Sequence, residues 1–215
     1  MGRPALFVRF TGCNLSCDLC DTKYSWKPGE LECTDHDPEA VREMIFDSNR
    51  IVFTGGEPLL SANMKRMMEL TDNFSFAKDY EIETNGTILP SDGILDRLND
   101  RRVRLNISPK FNVYQERAVD TTPVLVDRIM NSEFECLKRN LIVKILFETP
   151  LDIDEAQKFA HEHNVDPSQL WLQPCGTSSY QLKIVIKRCE DVLLSNNINL
   201  SLRSHVFLYE DLKGK

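Results

Sequence analysis

Cys13-Asn-Leu-Ser-Cys17-Asp-Leu-Cys20 places three thiols in eight residues, with three and then two residues between them, directly after the apolar run Ala5-Leu-Phe-Val-Arg-Phe10. Thiolates at that spacing can converge on one soft centre, because a short irregular loop lets each side chain turn inward while Asn14, Ser16 and Asp18 satisfy backbone donors. A fourth partner is then needed. Zinc normally takes it from a second compact pair of Cys or His, but Cys33, Cys136, Cys175 and Cys189 stand singly and only His161 and His163 lie close together. An iron-sulfur cluster is the other soft-thiolate centre, and three protein ligands leave one iron open for chemistry. The plain alternative is three thiols packed in a core; a polar loop is a poor place for that.

The chain around this loop is 215 residues long, enough to bury a substantial core. One domain over residues 1–215 is expected. A net charge of -7 argues against a nucleic-acid binder working through its overall field. With 41% hydrophobic and 27% charged residues the composition is that of an ordinary globular protein, and no apolar run approaches the roughly 20 residues of a spanning helix. Met1-Gly2-Arg3-Pro4 runs into a strand rather than a signal-peptide core, and seven cysteines with a clustered trio fit a reducing cytoplasm.

Ala5–Phe10 reads as the strand that delivers the cysteine loop. Arg9 within it either meets solvent or a salt bridge, or clamps a carboxylate. Asp21 and Thr22 offer oxygens to a hard cation or cap a helix. Residues 23–36 read as a surface loop, and Asp37-Pro38 opens a helix through Asp47. Arg50–Thr54 is the next strand, and it breaks into Gly55-Gly56-Glu57-Pro58. Paired glycines there leave backbone open to a ligand, and Glu57 is placed to accept from an ammonium group. A helix over Met64–Leu70 and a strand over Tyr80–Thr84 follow, then a loop at Asn85-Gly86. Ser91-Asp92 start a helix to Leu98. Val103–Lys110 is a fourth strand, with helical spacing around Val124–Met130. Asn140–Phe147 is the most apolar strand, after which Asp152 caps a helix over Ile153–Glu162. Leu170–Pro174 is strand six, with Gln173 at its end. One long helix over Ser179–Ser195 and a last strand over Ile198–Leu208 carrying His205 complete the pattern.

Strands alternating with helices about six times imply right-handed βα units and a mainly parallel sheet, an α/β fold. Ligands of such sheets lie across the carboxyl ends of the strands. Arg9 through Cys20, Thr54 through Pro58, Glu83 through Gly86, Ser108 through Lys110, and Gln173 all fall there.

The cysteine spacing after a first strand is the signature of radical S-adenosylmethionine enzymes. The stretch from Gly2 to Thr22, with Glu83-Thr-Asn-Gly-Thr87 and Ser108-Pro-Lys110, is similar to the 7-carboxy-7-deazaguanine synthase family over nearly the whole chain. The resemblance implies an incomplete (β/α)6 radical-SAM barrel and a 4Fe-4S cluster on Cys13, Cys17 and Cys20. It implies S-adenosylmethionine held at Gly55, Gly56, Glu57, Glu83, Asn85, Ser108, Lys110 and Gln173, and Mg2+ at Thr22. Arg9, Thr54 and His205 match positions that face the substrate, a 6-carboxy-5,6,7,8-tetrahydropterin contracted to 7-carboxy-7-deazaguanine on the way to queuosine and other deazapurines. It further implies a cytoplasmic homodimer fed by an external one-electron reductant such as flavodoxin, with no direct nucleic-acid or membrane contact. Family members carry an upstream Gln-Gly-Glu segment that contacts the pterin, and this sequence begins just past that point; the segment is trimmed, or pterin recognition is rebuilt. The competing enzyme reading is a radical-generating activase for a glycyl-radical enzyme, and the non-enzyme reading is an iron-sulfur carrier or zinc-stabilised binding module.

Overall fold

A computed structural model describes residues 4–209 except 76, 77, 112, 114, 116, 117 and 197, and of residue 205 only the backbone. Met1-Gly2-Arg3 therefore lies outside the described residues. Two compact units divide the chain, Met1–Leu141 and Ile142–Lys215.

In the first unit four strands, β1 (Leu6–Phe10), β2 (Arg50–Gly55), β3 (Asp79–Thr84) and β4 (Val103–Ile107), pair in parallel and in chain order. Helices α1 (Pro38–Asp47), α2 (Ser61–Leu70) and α3 (Asp92–Leu98) make the crossovers. Parallel pairing follows from these helical connections, which are too long for hairpins. Asp37 caps α1 as expected, accepting from Glu39 N at 3.1 Å. After β4 come α4 (Val124–Met130) and α5 (Glu135–Asn140); the second is too short for its periodicity to be read from sequence.

One face of this sheet is apolar. Tyr80, Ile82, Val103, Leu105, Ile107, Ile51 and Phe53 are all buried. Phe53 stands at the centre, 6.0 Å from Phe10, 6.3 Å from Phe74 and 6.3 Å from Tyr80 between ring centroids, in offset and edge arrangements that aromatic quadrupoles favour. The opposite face is polar, because the period of two puts Arg9, Thr54, Glu83 and Asn106 there. Arg9 pairs in register with Thr54 and Glu83 with Asn106, while Phe53 opposite Ile82 sets Thr54 beside Glu83.

The second unit holds parallel strands β5 (Ile142–Phe147), β6 (Leu170–Pro174) and β7 (Asn199–Leu200), with α6 (Pro150–Glu162), α7 (Ser179–Arg188), α8 (Glu190–Ser195) and α9 (Ser204–Tyr209). Helix α6 starts earlier than expected: Thr149 is the N-cap, and Asp152 sits inside the first turn, accepting from Thr149 N at 2.8 Å. The single long helix over 179–195 is instead two, broken at Cys189, whose side chain is buried. The strand expected over Ile198–Leu208 is corrected to the two-residue β7 followed by α9, so His205 lies on a helix and its side chain lies outside the described residues. Strand β6 ends at Pro174, which has no N–H to continue the ladder. The α/β fold with parallel sheet pairing holds in both units. Among the described residues no helix is long and apolar enough to cross a membrane.

Because Phe53 is fully buried among three other rings, Phe53→Ala should destabilise the protein by about 3–5 kcal/mol. Urea unfolding followed by circular dichroism measures this as a lower midpoint at unchanged slope.

Candidate functional site

Strand β1 ends at Phe10, and the chain turns through Gly12 into the cysteine loop. Two contacts hold that turn against the end of β2: Gly56 N donates to Phe10 O at 3.0 Å and Glu57 N to Gly12 O at 2.8 Å. The approach is so close that a Cβ on Gly55 would lie 2.1 Å from Phe10 O, and one on Gly56 1.8 Å from Gly12 O. These glycines are therefore needed for the chain's own packing, where the sequence suggested only exposure to a ligand. Asn63 adds a bridge, its Nδ2 donating to Thr11 O at 3.0 Å and Glu57 O at 2.9 Å.

Glu57 is held from three sides. Its side chain is fully buried, and its carboxylate accepts from Thr84 Oγ1 at 2.6 Å, Asn85 N at 2.8 Å and Leu59 N at 2.9 Å. Burial pushes its carboxyl pKa up, and these three donors and the charge of Lys110 oppose the shift. With no exposed surface, the side chain ties the end of β2 to the end of β3.

That tie places Asn85 over the cysteine loop. Asn85 Nδ2 donates to Asn14 Oδ1 at 3.0 Å and Asn14 Nδ2 to Thr87 Oγ1 at 2.7 Å, while Thr87 N donates to Asn85 Oδ1 at 2.9 Å. All three sulfurs face N–H groups: Leu15 N lies 3.4 Å from Cys13 Sγ, Gln115 Nε2 3.1 Å from Cys17 Sγ, and Trp26 Nε1 3.2 Å from Cys20 Sγ. Asn85 Nδ2 adds a distant contact to Cys13 Sγ at 4.0 Å. Burial pushes the Cys13 thiol up to about 11, against the Leu15 N–H, with Glu57, Cys17 and Cys20 raising it further. Cys17 is also raised by burial, with Gln115 and Lys110 opposing. Such thiols ionise at neutral pH only when a cationic centre takes them as ligands.

Among the described residues no three His, Cys, Asp or Glu side chains meet closely enough to ligate one ion. The thiolates of a 4Fe-4S cluster bind separate irons and need not meet at one point. Three sulfurs in an N–H-lined loop are a donor set of the right chemistry for such a cluster.

The remaining expected residues divide. Thr22 Oγ1 lies 3.5 Å from Cys20 Sγ and caps no helix, although Thr22 opens the short 3-10 helix Lys23–Ser25. That helix corrects only the start of the surface loop expected over 23–36: Ser25 is buried, and its carbonyl accepts from Gly12 N at 2.8 Å, while residues 28–36 are exposed and irregular. Arg9 is exposed, its guanidinium 5.7 Å above the Tyr24 ring. Thr54 Oγ1 donates to Glu83 Oε2 at 2.9 Å. Ser108 Oγ accepts from Lys110 Nζ, and Ser108 N donates to Thr84 O at 2.8 Å. Gln173 is the next-to-last residue of β6 in the second unit, half-buried.

Gln115, Trp26 and Asn106 had no reading in the sequence, and Asn14, expected to meet backbone donors, bonds the side chains of Asn85 and Thr87 instead. Gln115 carries no local signal of its role. Trp26, a large aromatic six residues after Cys20 in a polar stretch, was a detectable one. Asn106, buried, donates to Glu81 Oε1 at 3.1 Å and leaves Oδ1 with no hydrogen-bond partner.

A profile of the Radical SAM superfamily matches residues 7–132. A protein of Pyrobaculum aerophilum named 7-carboxy-7-deazaguanine synthase is 26% identical over 100% of this chain and 90% of its own length. Proteins of the same name from Rhodopirellula baltica and Buchnera aphidicola are 27% and 28% identical, over 99% and 96% of this chain and 82% and 90% of theirs. Among solved structures, Streptococcus suis SuiB superposes with a TM-score of 0.60 at 14% identity, over 93% of this chain and 49% of that one. This chain thus spans about half the length of SuiB, and the likeness is one of fold.

Glu57→Ala would strand three donors, two of them buried backbone N–H groups. It should destabilise the protein by about 3 kcal/mol or more, at roughly 1–3 kcal/mol for each unsatisfied group. Thermal unfolding of the variant against wild type measures the loss.

Proposed function

The chain belongs to the Radical SAM superfamily, and from that premise we propose that it is a radical S-adenosylmethionine lyase converting 6-carboxy-5,6,7,8-tetrahydropterin to 7-carboxy-7-deazaguanine. The observation that carries the reaction class is the three-sulfur loop with its N–H donors, locked by Glu57 and Asn85 to the carboxyl ends of β2 and β3. The substrate rests on relatives of that name matched along nearly the full chain.

When bound, a 4Fe-4S cluster and S-adenosylmethionine supply hydrogen-atom abstraction. Cys13, Cys17 and Cys20 would hold the cluster. Cofactor contacts fall to the backbone of Gly55, Gly56 and Glu57 and to Glu83, Asn85, Ser108 and Lys110. Lys110 provides a cation whose field already reaches Cys17 and Glu57, suited to a carboxylate or a developing negative charge. Thr22 is the proposed neutral ligand of Mg2+, completed by substrate oxygens.

The polar row across the sheet supports a ligand with a carboxylate at one end and ring N–H donors at the other. Arg9 offers a guanidinium steadied on Tyr24. Glu83 stands two strands away, about 10 Å at the usual strand spacing. Thr54, between them, gives its proton to Glu83 and keeps its lone pairs for a ligand donor. Asn106 Oδ1, unpartnered and buried, is a further acceptor in the same row. Gln173 and His205 belong to the second unit, and their roles rest on the resemblance alone. So do the homodimer, the flavodoxin-like reductant and the use of residues 1–215 as one catalytic domain.

Anaerobically reconstituted protein should bind about four irons per chain and form 7-carboxy-7-deazaguanine from the carboxypterin, read by mass spectrometry. Cleavage of S-adenosylmethionine without any pterin turnover would move the assignment to the glycyl-radical activase. Arg9→Ala should weaken carboxypterin binding about tenfold to 100-fold, the scale of an exposed charge-assisted contact, and leave S-adenosylmethionine binding unchanged. Thr22→Ala should blunt Mg2+ stimulation of turnover while sparing uncoupled cofactor cleavage; an equal Mg2+ response in the two proteins removes Thr22 from the site.

A further inference from the structure

Besides the distant contact of Asn85 to Cys13 Sγ, two side chains outside the cysteine triplet aim N–H groups at its sulfurs at close range. Trp26 Nε1 lies 3.2 Å from Cys20 Sγ. An indole nitrogen only donates, so the sulfur is the acceptor. Gln115 reaches the loop from 98 positions along the chain, its Nε2 3.1 Å from Cys17 Sγ. Its amide orientation is settled by its other end: Oε1 accepts from Ser16 N at 2.9 Å, which leaves the NH2 group for the sulfur and for Val113 O at 3.2 Å. Backbone pairing between Cys17 and Gln115 in an antiparallel bridge keeps the amide in place.

We propose that Gln115 and Trp26 are positioning residues that fix the Cys17 and Cys20 sulfurs as cluster ligands and raise the cluster's reduction potential. The proposal rests on the reading of these cysteines as cluster ligands. One electron entering the cluster adds one negative charge, shared with the ligand sulfurs. A fixed N–H dipole pointing at a sulfur favours the more negative state, and more strongly where solvent is excluded. Cys17 is buried and Trp26 and Gln115 are half-buried, so water does not readily replace either donor. The two donors act on different ligands, so their effects should add.

The test is a redox titration of reconstituted protein with dithionite as the one-electron donor, followed by electron paramagnetic resonance, with iron content measured alongside. Trp26→Phe keeps the ring and removes the N–H. Gln115→Glu keeps the acceptor for Ser16 N and replaces the donor by a carboxylate oxygen. Trp26→Phe should hold as much iron as wild type and be harder to reduce by about tenfold, or about 59 mV for one electron; Gln115→Glu, which also brings a negative charge to the sulfur, should be harder to reduce by at least as much. Lower iron content in Gln115→Glu with native circular dichroism supports the positioning role, and Trp26→Phe then carries the potential measurement. Full clusters with wild-type midpoints in both variants overturn the proposal. Loss of native circular dichroism in Gln115→Glu makes that residue structural and overturns its part. Wild type that takes up no iron-sulfur cluster is a different outcome: it refutes the cluster reading itself, and the inference falls with it.

Discussion

The backbone of Gly55 and Gly56 lies against that of Phe10 and Gly12 with no room for a side chain between them, and the site depends on this contact. It brings the ends of β1 and β2 together at one edge of the sheet and sets the direction in which the cysteine loop leaves. Glu57, next in the chain, carries the constraint to β3. A buried carboxylate is costly unless its oxygens are occupied, and here three donors occupy them. The same residue therefore explains the position of Asn85, and Asn85 that of Asn14 in the cysteine loop.

The two faces of the first sheet do different work. One packs Phe53 and its aromatic neighbours and carries the stability. The other holds Arg9, Thr54, Glu83 and Asn106, groups that would be wasteful in a core. Asn106 is the telling member. An amide that donates to a carboxylate and leaves its buried oxygen unpaired costs stability, and such an orphan has a natural explanation where a ligand completes it.

Around the sulfurs the electrostatics run in one direction. Burial raises the Cys13 and Cys17 thiols, and the N–H groups that approach the three sulfurs come from four places: the loop's own Leu15, Trp26 just beyond it, Asn85 after β3 and Gln115 after β4. A cationic centre would relieve the remaining cost. Segments far apart in sequence thus share one task, which ties the irregular stretch after β4 to the loop before β2.

The sequence by itself determined the α/β class, nearly all the strands of the sheet pairing and the placement of Cys13, Cys17, Cys20 and the Gly55–Glu57 turn at strand ends. Those features are written in local periodicity and in short motifs, which need no knowledge of distant residues. It gave no sign of the buried bonds of the Glu57 carboxylate or of the 3-10 helix Lys23–Ser25 at the start of the loop over 23–36, and it misread the end of the chain as a strand. Tertiary structure decided these, because burial of the Glu57 carboxylate and of Ser25 depends on neighbours well away along the chain. Gln115 is the limiting case: nothing in its local sequence distinguishes it, and its role exists only because the fold brings it across 98 residues to Cys17.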